Sequence, residues 1–276
     1  MDWLCNFITI STLLVCCYFL VRIFLIESYV VPSSSMEPTL LAGDQVCVFK
    51  PIYGPRIFED WEVFETGEFR YSRLSGLRTV QHNDVVVINR FSKHQNVKHN
   101  GIGVFYIKRC IGLPGDTLRI ENGLYKSSGT NEPLGVIEKQ QELSRTPAEE
   151  LDEYNCYAGT WNIHNFGPLY IPKAGDTVPI DSLTAFYYRE AIEAEVKQVI
   201  EVRDGEVFLG DTPCRQYTFR ENCYFFAGDN VVDSNDGRYW GVISELEIVA
   251  KAFMIWNSSN PATGKTRWDR LFKLIY

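Results

Sequence analysis

The chain has no Cys-x-x-Cys pair, no Cys2His2 pattern among its four histidines, no Gly-x-Ser-x-Gly turn and no serine with a lysine three residues later. The first two absences exclude the common zinc and redox motifs. The last two exclude the nucleophile elbow and the penicillin-binding-protein motif. Positive charge is also short: 27 Lys and Arg face 35 Asp and Glu, a net charge of -8. That balance argues against a nucleic-acid groove as the main surface, so no nucleic-acid partner is expected. Residues 1–21 contain no Lys or Arg. A cleaved secretory signal would carry a basic region there, and the positive-inside rule gives no support for an inside N-terminus.

What is there begins with an uncharged run, residues 7–21. With its flanks it reaches about 24 residues, and a helix needs roughly 20 to cross a bilayer. Arg22 stands near one end, where its stem can snorkel to the headgroups. No Ala-x-Ala site follows the run, so residues 1–27 are read as an uncleaved transmembrane anchor. The 276 residues otherwise suffice for one large domain or two small ones.

Beyond the anchor most segments read as strands. Residues 45–49, 84–89 and 103–111 are short and β-branched, and turn residues bound them. Asn122-Gly123 and Asp204-Gly205 each sit between two such runs and predict tight hairpins. One helix is predicted over 182–200, capped by Asp181 or Ser182. Residues 126–151 are polar and read as a surface loop, and 51–82 have no assignment. Within the tail 257–276, residues 266–276 interleave basic and apolar side chains, as a segment lying on a membrane or packed on the domain would. Of the eight cysteines, Cys5, Cys16 and Cys17 belong to the anchor. Cys214 and Cys223 can bridge in an oxidising compartment, or remain buried thiols.

The chemistry centres on Ser33-Ser34-Ser35-Met36-Glu37-Pro38, just past the anchor. A serine hydroxyl needs a base to take its proton. None of His82, His94, His99 and His164 stands in a catalytic setting, which leaves a lysine brought in by the fold. Lys108 has the most apolar flanks, Val104 to Ile107 before it and Cys110-Ile111 after it. Burial would lower its pKa toward a neutral amine. The residues alone do not say which of the three serines reacts.

Three segments, in order, resemble the type I signal peptidases, which are membrane-anchored Ser/Lys proteases. They are 32–44 around the serines, 106–116 around Lys108, and 228–241, which begins Gly228-Asp229-Asn230. The resemblance implies a mainly β fold of coiled antiparallel sheets. A catalytic domain would be made of 28–118 and 220–256, with a β-rich, helix-containing insert at 119–219. It implies Ser35 as nucleophile, because that serine precedes the Met of its box, and Lys108 as general base. Ser33 and the Ser35 backbone N–H would form the oxyanion hole. Ser234 would orient the lysine amine, and Asp236 and Arg238 would pair in support. Val31, Pro32, Met36, Tyr106 and Ile107 would line shallow substrate pockets. Gly237 departs from the serine often found there in the family.

The implied reaction needs no metal or cofactor. Its implied substrates are preprotein signal peptides, cut after small residues in an Ala-x-Ala pattern. The implied location is the outer, periplasmic side of the cytoplasmic (inner) membrane, in contact with lipid. Two alternatives remain: a catalytically inactive, membrane-tethered homologue that acts as a binding protein, and a soluble Ser/Lys autopeptidase.

Overall fold

A computed structural model describes residues 2–58, 71–90, 104–147 and 161–276. His94, His99 and Cys156 fall outside the described residues, as do parts of 51–82 and 126–151. Helix α1 (Asp2–Phe24) is apolar all round and has almost no protein cover. Such a helix is long and apolar enough to cross a membrane.

The chain passes from α1 directly into β1 (Ile26–Val30), which pairs antiparallel with β2 (Asp44–Phe49). β2 alternates in burial along its length. That is the pattern of a strand with one face on a core. Short strands β3 (Arg56–Phe58) and β4 (Tyr71–Arg73) pair with each other. Strand β5 (Val85–Arg90) is buried throughout, as its β-branched run predicts, and pairs with β6 (Val104–Gly112).

The two predicted hairpins form. β7 (Thr117–Glu121) and β8 (Leu124–Ser127) turn at Asn122-Gly123, both at positive φ. The polar stretch after them is not only loop: it contains helix α2 (Ile137–Arg145). Its Glu, Lys, Gln and Leu residues are good helix formers, and spacing turns Gln140 and Leu143 inward. The buried Gln140 amide accepts from Tyr125 N–H and donates to the Leu134 carbonyl. Polarity alone therefore misread this segment.

Strands β9 (Phe166–Tyr170) and β10 (Thr177–Pro179) precede helix α3 (Ser182–Val196). Asp181 caps α3 through the Thr184 N–H, and Thr184 Oγ returns a bond to the Asp181 N–H. The helix stops short of 200 because Lys197 takes a left-handed conformation. The second hairpin, β11 (Ile200–Arg203) with β12 (Glu206–Leu209), turns at Asp204-Gly205. Strand β13 (Thr212–Pro213) extends it, and β14 (Gln216–Thr218) pairs with β10.

β15 (Cys223–Ala227) returns to the main sheet. Helix α4 (Gly237–Trp240), β16 (Ile243–Ser244), β17 (Ile248–Ser258) and β18 (Lys273–Leu274) complete the order. The main sheet runs β1-β2-β17-β5-β6-β15-β16, with β18 also on β17. All these pairings are antiparallel. Bulges interrupt the β2–β17 and β6–β15 ladders and curl the sheet.

Val85 and Val87 face a core with Val31, Met36, Val46 and Ile255. Val86 and Ile88 face another with Cys110, Phe226, Trp240 and Ile248. A third core spans Leu118, Phe166, α3 and Phe225. Cys214 and Cys223 lie buried in it as free thiols, so the bridge left open above is not formed. The tail packs on the domain: β18 pairs with β17, and Arg270 and Ile275 are buried.

Candidate active site

Ser35 sits in a tight loop between β1 and β2. Below it, the buried side chains of Val31, Met36 and Leu40 anchor the loop in the core. Leu40 N–H bonds the Met36 carbonyl, and Glu37 N–H bonds the Ser34 carbonyl. Asp44 holds the far end. It is fully buried, accepts from Leu41 N–H and Ser258 Oγ, and pairs with Arg270. Burial alone would raise the Asp44 pKa, but Arg270 and Ser258 outweigh it and hold it below the usual range.

Lys108 comes from the middle of β6. Its Nζ donates to Ser35 Oγ at 2.7 Å, and the side chain is 3% exposed. Among the described residues this is its one hydrogen bond, and no carboxylate reaches it. Desolvation pushes its pKa down to about 8; Asp236, Asp229 and Asp233 resist the shift and Arg238 adds to it. A buried amine beside a hydroxyl thus gives up its proton far more readily than an exposed lysine does.

The loop after β15 closes the site. Asn230 N–H bonds the Ser35 carbonyl at 3.1 Å, and its side-chain amide bonds the Ser34 carbonyl at 3.3 Å. Asp236 and Arg238 form a two-pronged ion pair at 2.7–2.8 Å with neither side chain exposed. Asp236 also accepts from Gly228 N–H. Gly228 has no room for a side chain: a Cβ would lie 2.2 Å from Ser234 Oγ and 2.4 Å from the Ser35 carbonyl.

The resemblance implied five further features here. Ser33 Oγ lies 3.3 Å from Ser35 Oγ, and Ser35 N–H has no acceptor among the described residues. Ser234 lies beside Gly228, but its buried Oγ has no hydrogen-bond partner among the described residues, so the bond expected to Lys108 is not made. Val31, Met36 and Ile107 share one core, and Pro32, next in sequence to Val31, is exposed. Tyr106 packs against the other core, under the Arg90 guanidinium. Gly237 is tightly packed: a Cβ would meet the Phe226 carbonyl at 2.8 Å and the Phe225 ring at 3.0 Å.

Sequence reasoning missed Arg109. Its guanidinium grips Asp229 with two bonds of 2.7–2.8 Å and also reaches Asn83 O, Tyr276 O and Thr39 Oγ1. It thereby ties β6 to the serine loop, the 228–236 loop and the tail. The signal was present, since Arg109 adjoins Lys108 and Asp229 lies in the third box. Among the described residues no group of three His, Cys, Asp or Glu is arranged to hold a metal ion.

A serine in contact with a buried amine, at the edge of a curled antiparallel sheet, is the arrangement of a serine hydrolase. The chain belongs to the signal peptidase family, peptidase S26, whose family model matches residues 4–257. It is 30% identical over 248 residues to a signal peptidase I of Pseudomonas aeruginosa, covering 86% of this chain and 66% of that protein. It is 28% identical over 246 residues to one from Buchnera aphidicola subsp. Baizongia pistaciae, covering 86% and 72%. A Haemophilus influenzae signal peptidase I is 29% identical over 278 residues, covering 93% and 72%. The chain thus spans 66–72% of the length of these relatives.

Proposed function

We propose that this chain is a membrane-anchored serine endopeptidase that removes N-terminal signal peptides from preproteins by acyl transfer. One observation carries the reading: the buried Lys108 amine lies 2.7 Å from Ser35 Oγ and, among the described residues, pairs with no carboxylate that would hold its proton. Neutral Lys108 takes the Ser35 proton as Oγ attacks the scissile carbonyl. The resulting alkoxide faces the Ser35 N–H and the Ser33 hydroxyl, two donors for an oxyanion. The lysine proton then passes to the leaving amine, which yields an acyl-enzyme. Lys108 next deprotonates a water, and that water releases the acyl group and restores Ser35. Asp236 and Arg238 hold Gly228 and the loop around it and take no part in proton transfer.

Backbone geometry supports an extended substrate. Residues 104–108 of β6 pair with β5 on one edge, whereas β15 joins the other edge only from Arg109 onward. A peptide can add to that open edge as a further strand. Val31, Met36 and Ile107 would form a closed apolar floor beneath it, with Pro32 at the rim. A shallow floor admits small side chains and excludes large ones, in keeping with an Ala-x-Ala preference. Tyr106 would contribute from the other side of β6. Within this reading 28–118 and 220–256 form the catalytic unit, with 119–219 inserted.

The apolar helix α1 and the exposed Trp268, Phe272, Leu274 and Tyr276 suit an enzyme lying against lipid. A catalytic domain on the outer face of the cytoplasmic membrane would meet a substrate whose own signal helix lies in the bilayer.

The test is cleavage of a preprotein bearing an Ala-x-Ala signal site by the detergent-solubilised chain. Wild type should cut, and Ser35→Ala and Lys108→Met should not. Cleavage by Ser35→Ala would move the nucleophile to a neighbouring serine. No cleavage by folded wild type on several such substrates would favour an inactive binding homologue.

A further inference from the structure

The mechanism above uses Ser35 and Ser33 but leaves Ser34 idle. Ser34 Oγ nevertheless donates to the carboxylate of Asp233, an exposed residue 199 positions away. Asp233 ends a turn that begins at Asn230, closed by the Asp233 N–H on the Asn230 carbonyl at 3.1 Å. That one turn therefore makes three bonds to the serine loop: Asn230 N–H to Ser35 O, the Asn230 amide to Ser34 O, and Asp233 to the Ser34 hydroxyl. In a trans peptide the N–H points opposite to the C=O. Fixing the Ser34 carbonyl against Asn230 consequently aims the Ser35 N–H away from the turn, toward the free side of the loop. The turn is itself rooted in buried contacts, Asp229 on Arg109 and Gly228 on Asp236.

We propose that Asp233 is a positioning residue of this site, pinning the Ser34 hydroxyl so that Ser35 Oγ and N–H are held ready for the reacting carbonyl. This rests on the Ser35–Lys108 reading and adds a second role. The charged groups that bear on Lys108 are Asp236, Arg238, Asp229 and Asp233. Asp236 and Asp229 are buried and committed to arginines, so Asp233 is the exposed member. Its negative charge favours the protonated amine and so holds the acid limb of activity at higher pH than the other groups alone would.

The experiment uses the full chain in detergent with a preprotein carrying an Ala-x-Ala site. Wild type, Ser34→Ala, Asp233→Ala, the double variant and Asp233→Asn are compared for kcat, KM and pH profile, each with a thermal melt. Loss of the hydrogen bond should lower kcat by about five- to tenfold with KM little changed. The double variant should be no worse than either single one. Asp233→Asn keeps an acceptor for Ser34, so it should recover most of the kcat lost in Asp233→Ala. Its acid limb should move to lower pH, and further at low salt.

Additive losses, or an Asp233→Asn limb that coincides with wild type, would overturn the proposal. If Asp233→Ala does not fold, Ser34→Ala and Asp233→Asn decide the matter. Ser35→Ala and Lys108→Met run in parallel. Activity in either would overturn the dyad itself, and a null result confined to Asp233 would overturn this inference alone.

Discussion

Lys108 and Arg109 are neighbours on β6, yet one amine meets a lone hydroxyl and the other cation a full carboxylate. Successive strand residues point to opposite faces, so one strand delivers two buried cations to different environments. The unpaired one is poised to lose its proton, and the paired one serves as a structural tie.

The first consequence is a pH profile. A lysine lowered to about 8 is increasingly neutral above that pH and charged below it. With Lys108 as base, kcat/KM should rise about tenfold per pH unit up to pH ~8 and then level off. Stopped assays from pH 6 to 10 on a preprotein substrate would measure it. A profile flat across pH 7 to 9 would sink the assignment.

Lys108→Met should separate activity from stability. Methionine fills a similar volume and has no charge to desolvate. Cleavage should vanish while the thermal midpoint stays level or rises. A marked drop would mean that the amine contributes to the fold.

The Asp236–Arg238 pair behaves differently, because each partner compensates the other's burial. Arg238→Met should strand a buried carboxylate and cost about 3–5 kcal/mol, read by urea unfolding. Replacing both residues by apolar ones should cost less than the single change.

Arg109→Lys keeps the charge but cannot reproduce a planar fork with four partners. A loss of about 2–4 kcal/mol is expected. Amide exchange should quicken together around 39, 229 and the tail, the segments that Arg109 joins. Exchange changes at only one of them would contradict its linking role.

Gly228→Ala would push a methyl group against Ser234 Oγ and the Ser35 carbonyl. Displacing the nucleophile loop by a fraction of an ångström should cut kcat about a hundredfold. KM should change less, since the added methyl group meets the loop backbone and Ser234 rather than the apolar side chains proposed to underlie the substrate.

Some of this was legible in the sequence, for identifiable reasons. The hairpins at Asn122-Gly123 and Asp204-Gly205 rest on local turn chemistry, and so does the start of α3 at Asp181. The end of α3 was not legible, because a lysine and not a glycine takes the left-handed position there. Helix α2 was hidden because its buried face includes a glutamine, whose worth depends on Tyr125 and Leu134. The serine and lysine boxes are short and readable in place. The ties between them are not, since Arg109 finds Asp229 120 residues away and Arg270 finds Asp44 226 away. Gly237 looked like a departure in a supporting position, and the Phe225 ring and Phe226 carbonyl fill the space a serine would need.

The junction after α1 has a consequence of its own. Lys50 Nζ bonds the Arg22 and Ile23 carbonyls at the end of the helix and also pairs with Glu27. Lys50 N–H bonds the Leu25 carbonyl, and β1 enters the sheet one residue later. No slack chain separates the helix from the sheet, so the five residues of β1 act as a ruler of about 17 Å. With α1 in a bilayer and Ser35 as the proposed nucleophile, that ruler would set the height above the lipid at which the serine loop stands, and a scissile bond presented at another depth would go uncut.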